Sequence, residues 1–348
     1  MIPQSRPDLQ KDDFGYVEEI LKTGQVAAGP LVERLETAFL KRLGARHAVA
    51  VSSGTSALHL ALLALEIGRG DEVIVPSYAC AALLHAVHYT GASPVLCDID
   101  LDTLNPTVRE IRPVLNRRTR AIVVTHTFGF PADLSAIMDL GVPVIEDCAQ
   151  ALGARYRGEA VGSYGQISVF SFYATKVICA GEGGMVCTKK ERLAARLRDL
   201  SRPDQRADYK VRYNYKLSDL AAGLALKQLG RLDDFVARRR AIATRYIQAL
   251  APGSSLQFQV PLADSDPIYY RFVVRTRRAG AFIKRAASRG VACDRPVFRP
   301  LHAYLKLAAK RFPHTDIAWK NGVSVPLYPA LTDAEVDRVA TVLQEAAS

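Results

Sequence analysis

Lys176 lies between an apolar, strand-like run, Val169-Phe170-Ser171-Phe172, and a glycine-rich turn, Gly181-Glu182-Gly183-Gly184. Burial in such a neighbourhood disfavours an ammonium and lowers its pKa, which is what an amine needs in order to attack an aldehyde. The plainer alternative is a strand-end lysine whose stem packs while its head reaches water. Ser171, just upstream, carries a hydroxyl suited to a phosphate oxygen.

Two further sites give that lysine a context. Gly141-Val142-Pro143-Val144-Ile145-Glu146-Asp147 is an apolar run that stops at two carboxylates, followed by Cys148-Ala149-Gln150. A carboxylate at the carboxyl end of a buried strand sits where open α/β sheets bind ligands. Facing a pyridine nitrogen, Asp147 would keep it protonated and let the ring act as an electron sink; otherwise Asp147 caps the next segment. Upstream, Ala48-Val49-Ala50-Val51 runs into Ser52-Ser53-Gly54-Thr55-Ser56 and then an apolar helical pattern. Gly54 permits close backbone approach, and Thr55 and Ser56 offer hydroxyls and N–H groups at a helix N-terminus, a seat for phosphate or a simple N-cap. Strand, phosphate turn, strand-end aspartate and lysine, in this order, point together to pyridoxal 5′-phosphate.

With those motifs the chain resembles the DegT/DnrJ/EryC1/StrS aminotransferases, fold-type-I enzymes that aminate keto sugars, usually nucleotide-linked. The resemblance runs from Gly29-Pro30 through Gly70-Asp71-Glu72, Pro131-Ala132-Asp133, Glu146-Asp147, Ser171 to Lys176, Asn214-Tyr215-Lys216 and Pro300-Leu301-His302 to Val325-Pro326-Leu327. It implies that Lys176 carries the cofactor as a covalent internal aldimine and that Asp147 pairs with the pyridinium. It also implies that Thr55, Ser56 and Ser171 hold the phosphate, and that Asn214 reaches the phosphate of a partner subunit, making a homodimer with shared sites. Three positions depart from the family pattern. Cys80 stands where an aromatic residue stacks on the ring, beside Tyr78. Gln150 replaces a frequent histidine and can still hydrogen-bond the phenolic oxygen. Lys216 replaces an arginine, keeping the charge and losing its fork.

The elements that must position these residues follow from counting apolar runs. Seven candidate strands lie at 48–51, 73–76, 94–97, 121–124, 142–146, 167–171 and 185–188, with helical patterns at 56–67, 79–90 and 106–116. Alternating strands and helices predict a mostly parallel seven-stranded sheet between helices. The connection from Lys176 to Gly184 is too short for a helical crossover, so one strand should be antiparallel. A helix from 217 to 250 leads into a smaller C-terminal α/β domain with a strand at 268–276 and helices at 279–289 and 332–347. The expected division is 1–230 for the cofactor-binding domain and 231–348 for the smaller one.

A length of 348 residues with 49% hydrophobic residues suits a two-domain enzyme with a sizeable core. The first thirteen residues are polar and no apolar run is long enough to span a bilayer. Six cysteines without a C-x-x-C pair read as reduced thiols, so a cytoplasmic setting is expected, with no membrane. The net charge of +11 raises the question of nucleic acid. Its densest run, Arg238-Arg239-Arg240, falls in a helical pattern and reads as a wet helix face, and no nucleic-acid-binding signature accompanies it. An anionic small molecule fits better. Cys80, His85 and His88 are not spaced for a metal, since on a helix only the two histidines share a face. His126, at a strand's carboxyl end, is a candidate for lining the site, and Arg299 and His302 lie in a stretch that forms the substrate entrance in similar proteins.

The resulting expectation is a cytosolic aminotransferase moving an amino group from L-glutamate to a keto sugar. An amino-cyclitol aminotransferase, a deoxysugar dehydratase (in which a histidine replaces the lysine) and a non-catalytic cofactor-binding regulator are the alternatives.

Overall fold

The computed structural model describes residues 1–250 and 254–347. Its centre is a seven-stranded sheet of β1 (His47–Val51), β2 (Glu72–Pro76), β3 (Ser93–Cys97), β4 (Thr119–Thr125), β5 (Val144–Asp147), β6 (Ile167–Ser171) and β7 (Gly184–Thr188). The order is β1-β7-β6-β5-β4-β2-β3. Strands β2 to β6 pair in parallel, and β7 pairs antiparallel with both β6 and β1. These are the seven runs read from the sequence, and the short connection after Lys176 does produce the antiparallel strand.

The strands are apolar on both faces because both faces are covered. Ala48, Ala50, Ile122, Val124, Met185 and Cys187 face one core, while Val49, Val51, Ala121, Val123 and Val186 face the other. Past α1 (Lys11–Thr23), the first core takes helices α2 (Pro30–Leu43) and Asp219–Gly230; the second takes α3 (Gly54–Ala64) and the helices Ala82–Tyr89 and Glu191–Ser201. Alternation at period two assigns each side chain to its face. A third core surrounds the antiparallel strands Gln257–Phe258, Phe272–Arg275 and Gly322–Val325, closed by Ala279–Ser288, Asp333–Ala347 and the second half of Leu232–Ala249.

Four local expectations need correction. The helix expected at 217–250 is two helices, Asp219–Gly230 and Leu232–Ala249. Glycine ends the first, and Arg231 is held at the break by Asp8 (3.3 Å) and Asp13 (2.5 Å). The 106–116 helix shrinks to Val108–Ile111 plus a 3₁₀ turn, because Pro113 has no N–H to donate. The strand expected from 268 begins only at Phe272, since Tyr269 adopts a left-handed φ of 51°. Arg239 is not on a wet face: it is 3% exposed, on the side of its helix shared with Phe235, Ile242 and Tyr246. Among the described residues no helix is long and apolar enough to cross a membrane.

Candidate active site

The carboxyl ends of β1, β2, β4, β5 and β6 open onto one cavity of about 490 Å³, the location expected for a ligand in an open α/β sheet. Lys176, Asp147, Gly54, Thr55, Cys80, Gln150, Ser171, His126 and Arg299 all line it. Residues far apart in sequence meet here because β5 lies between β4 and β6, with Asp147 level with Thr125 on one side and Val169 on the other.

The N-terminus of α3 forms one wall. Ser53 caps the helix by accepting from the Ser56 N–H (3.0 Å). A Cβ on Gly54 would stand 2.8 Å from Ser171 Cβ, so only glycine lets the helix end press against the end of β6. Thr55 and Ser171 therefore share one wall. Ser56 behaves differently from the sequence expectation: it is buried, its hydroxyl lies 2.8 Å from Ser53 Oγ and 3.2 Å from Ser52 Oγ, and it is absent from the cavity wall. It tightens the cap.

Opposite stands Asp147. Burial pushes its carboxyl above its ordinary value, against the opposing pull of the Ala149 N–H (3.0 Å) and of Lys176 and His126. Its neighbour Glu146 is fully buried and accepts from the N–H groups of Gly162, Tyr164 and Gly165 at 2.7, 2.8 and 2.5 Å. His126 bonds one of the two carboxylates, that of Glu146. Its Nδ1 accepts from the Ala132 N–H (3.1 Å), so the proton sits on Nε2 and points at Glu146 (3.3 Å). Both ring nitrogens are thereby used, and what His126 offers the cavity is its ring. His126, Glu146 and Cys148 cluster closely enough for a metal, but the glutamate oxygens are already held by three backbone N–H groups.

Lys176 sits in the tight β6–β7 connection, where its N–H bonds the Tyr173 carbonyl (2.8 Å). It is half-buried rather than sealed in apolar surroundings. Its Nζ lies 5.3 Å from the ring centre of Tyr270, whose hydroxyl is 3.3 Å from Thr175 Oγ1. Tyr270 and Arg271 also line the cavity, and the sequence reading missed both. They were legible only as the start of a strand, with no spacing to tie them to a lysine so far upstream. Nor did any pattern mark the turn Phe128-Gly129, where Phe128 takes a φ of 57° and a Cβ on Gly129 would approach Tyr270 N to 2.9 Å. The carbonyls of that turn receive Ile268 N–H and Arg271 N–H, docking the strand on the cavity. Gln150 Oε1 accepts from the Phe128 N–H (2.8 Å), which leaves its NH₂ as the free donor.

Cys80 is exposed on the wall, whereas Tyr78 is buried, with its hydroxyl 3.4 Å from the Ala318 carbonyl. Arg299 is exposed beside Phe298 and Tyr304, its Nη2 reaching only the Ala303 carbonyl (3.2 Å). His302, expected near the entrance, is buried instead. Its Nδ1 is 2.8 Å from Ser77 Oγ, it stacks on Phe312 at 5.0 Å, and burial pushes its imidazole down. It does not line the cavity. Asn214 is exposed and also off the wall, while the Tyr215 carbonyl beside it accepts the Ser52 N–H (2.8 Å).

The residues fit pyridoxal 5′-phosphate on their own chemistry. A helix N-terminus with hydroxyls suits a phosphate, a desolvated carboxylate that forms no ion pair among the described residues suits a pyridinium, and a lysine shares the space. The described residues also match known proteins. The DegT/DnrJ/EryC1/StrS aminotransferase family model covers residues 7–344. Among solved structures, the aminotransferase TlmJ of Streptoalloteichus hindustanus is 35% identical, with 99% of this chain and 98% of that one covered and a TM-score of 0.93. DesV of S. venezuelae is 34% identical over 97% of this chain and 94% of its own, also at 0.93. Spr1654 of Streptococcus pneumoniae, solved in a PLP form, is 25% identical over 99% of this chain and 98% of its own, at 0.93. The chain therefore belongs to the DegT/DnrJ/EryC1/StrS family and is a pyridoxal 5′-phosphate-dependent aminotransferase.

Proposed function

We propose that this aminotransferase moves the amino group of L-glutamate to the ketone of a nucleotide-linked keto sugar. The observation that carries the reading is that Lys176, Asp147 and the Ser53–Thr55 helix end open onto one cavity whose outer wall holds Arg299 and the exposed Phe298. The bound cofactor supplies an aldehyde to trade amines and a ring that accepts electrons. Lys176 is the group that holds the cofactor covalently when at rest. Once freed, it takes the proton from the donor's α-carbon and later returns a proton to the sugar carbon. Asp147 keeps a positive charge on the ring nitrogen, Gln150 donates its NH₂, and Thr55 and Ser171 receive the phosphate. Arg299 offers a guanidinium to a diphosphate at the mouth.

In this reading the large part, 1–230, holds the cofactor, and the part from 231 lends Tyr270, Arg271 and Arg299 to the wall. Asn214, exposed and off its own cavity, serves a second copy, so the active unit is a homodimer. Mixing Lys176→Ala with Asn214→Asp subunits then restores activity; a monomer active at assay concentration contradicts this. The free cysteines, five of the six buried, suit a reducing cytosol. The experiment for the substrate is a panel of 3-keto and 4-keto nucleotide sugars with glutamate, read by product mass. An aminated nucleotide sugar is expected; amination of free cyclitols alone would overturn the sugar assignment.

A further inference from the structure

Lys176, Arg271 and Arg299 are the cationic side chains on the cavity wall, and Lys176 is committed to the cofactor. The two arginines differ in place. Arg299 is exposed at the mouth, whereas Arg271 is half-buried and lines both this cavity and an adjoining hollow with Thr175, Arg239 and Tyr270. Its guanidinium carbon is 5.6 Å from the Tyr270 ring centre, and Lys176 Nζ is 5.3 Å from the same point. A third cation, Arg239, lies 5.8 Å from that ring. Burial pushes the Tyr270 phenol up, but Lys176, Arg271, Thr175 and Arg239 outweigh it, and the net direction is down.

Arg239 is accounted for by the fold: its Nη1 donates to the carbonyls of Tyr270 (3.1 Å) and Leu327 (3.0 Å), which pins the backbone that carries Arg271. Arg271 is not. Among the described residues its guanidinium makes one hydrogen bond, to Ser324 Oγ at 3.4 Å, and neither it, Lys176 nor Arg239 forms an ion pair. A half-buried guanidinium without a carboxylate, sharing the Tyr270 ring and the cavity wall with the reacting lysine, is a site for an anion the protein does not supply.

We infer that Arg271 binds a carboxylate of the amino donor, and so sets the enzyme's preference for amino acids over simple amines. The inference deepens the donor half of the proposed function. A donor nitrogen delivered to Lys176 brings its carboxylate to the ring of Tyr270, where Arg271 stands. The acceptor's diphosphate is left to Arg299, whose exposure suits a long ligand extending to solvent.

The test uses the PLP-loaded protein and glutarate, a dicarboxylate shaped like glutamate but lacking the amine, with affinity read by calorimetry. Arg271→Gln is expected to weaken glutarate about 30-fold or more, and Arg271→Lys to weaken it less. Arg271→Gln should also raise the KM for glutamate in the donor half-reaction by a larger factor than it slows the half-reaction with a primary amine that has no carboxylate. Glutarate binding unchanged in Arg271→Gln but lost in Arg299→Gln overturns the assignment, as does a loss confined to the keto-sugar half-reaction. Thermal unfolding of both Arg271 variants controls for misfolding, and Arg271→Lys alone decides the matter if Arg271→Gln does not fold. Because glutarate affinity and the donor half-reaction need no sugar, a wrong sugar assignment cannot produce the overturning result on the donor side.

Discussion

Two neighbouring carboxylates at the end of β5 are treated in opposite ways. Glu146 points into protein that satisfies it completely, with three backbone N–H groups and a histidine whose tautomer is fixed from behind. Asp147, one residue on, points into the cavity with a single N–H donor, and burial raises its carboxyl above the ordinary value. Strand alternation puts the two on opposite faces. The first carboxylate is spent on the fold. The second is left with one N–H donor, and in the proposed function its partner arrives with the ligand. A buried polar group satisfied by the chain stabilises it, and one left open stores binding energy for a complementary charge.

The largest effect expected belongs to the open side. Lys176→Ala should lower turnover by about 10⁴ or more if, as proposed, this lysine moves the proton, while cofactor should still bind through the helix end at Ser53–Thr55. Reduction of the loaded wild-type protein with borohydride should label Lys176; a label on Lys189 or Lys190 contradicts this. Next comes the closed side. Glu146→Gln replaces a carboxylate that accepts three N–H bonds by an amide that turns donors against them, and should cost about 3 kcal/mol, read by chemical denaturation. An unchanged midpoint would mean that the Gly162–Gly165 loop is held by something other than Glu146.

The smallest effect concerns pH and the cofactor-free protein. Because the folded Asp147 pKa is raised, its neutral form favours folding, and that contribution is lost as pH rises from the ordinary value of 3.8 through the folded pKa. Asp147→Asn should therefore match wild type in Tm below that value and exceed it at neutral pH. A variant less stable than wild type at neutral pH would show that Asp147 is already paired within the protein.

Much of this was legible in sequence for a physical reason. Buried parallel strands are nearly continuous apolar runs, so all seven were visible, as was the antiparallel return after Lys176, whose linker is too short for a crossover. The lysine, the aspartate and the glycine-cushioned turn at Ser53–Gly54 each follow a strand end that announces itself. What failed depends on contacts between distant segments. Thr175 and Tyr270 are 95 residues apart, and nothing local marks Tyr270 or Arg271 as part of the site. Arg239 looked like a solvated charge because composition dominates a run of three arginines, although helical phase places it inward. His302 and Ser56 have the right residue types in the right neighbourhood, but their hydrogen bonds to Ser77 and Ser53 turn them into structural groups.

One paired measurement tests the division of labour between Glu146 and Asp147. The rate of the glutamate half-reaction is followed by stopped-flow absorbance in Asp147→Asn and in Glu146→Gln, each normalised to its folded, cofactor-loaded fraction. Asp147→Asn should fold fully and lose about 100-fold or more in rate. Glu146→Gln should lose folded protein but keep the rate within about threefold of wild type. Near wild-type chemistry in folded Asp147→Asn would contradict the account.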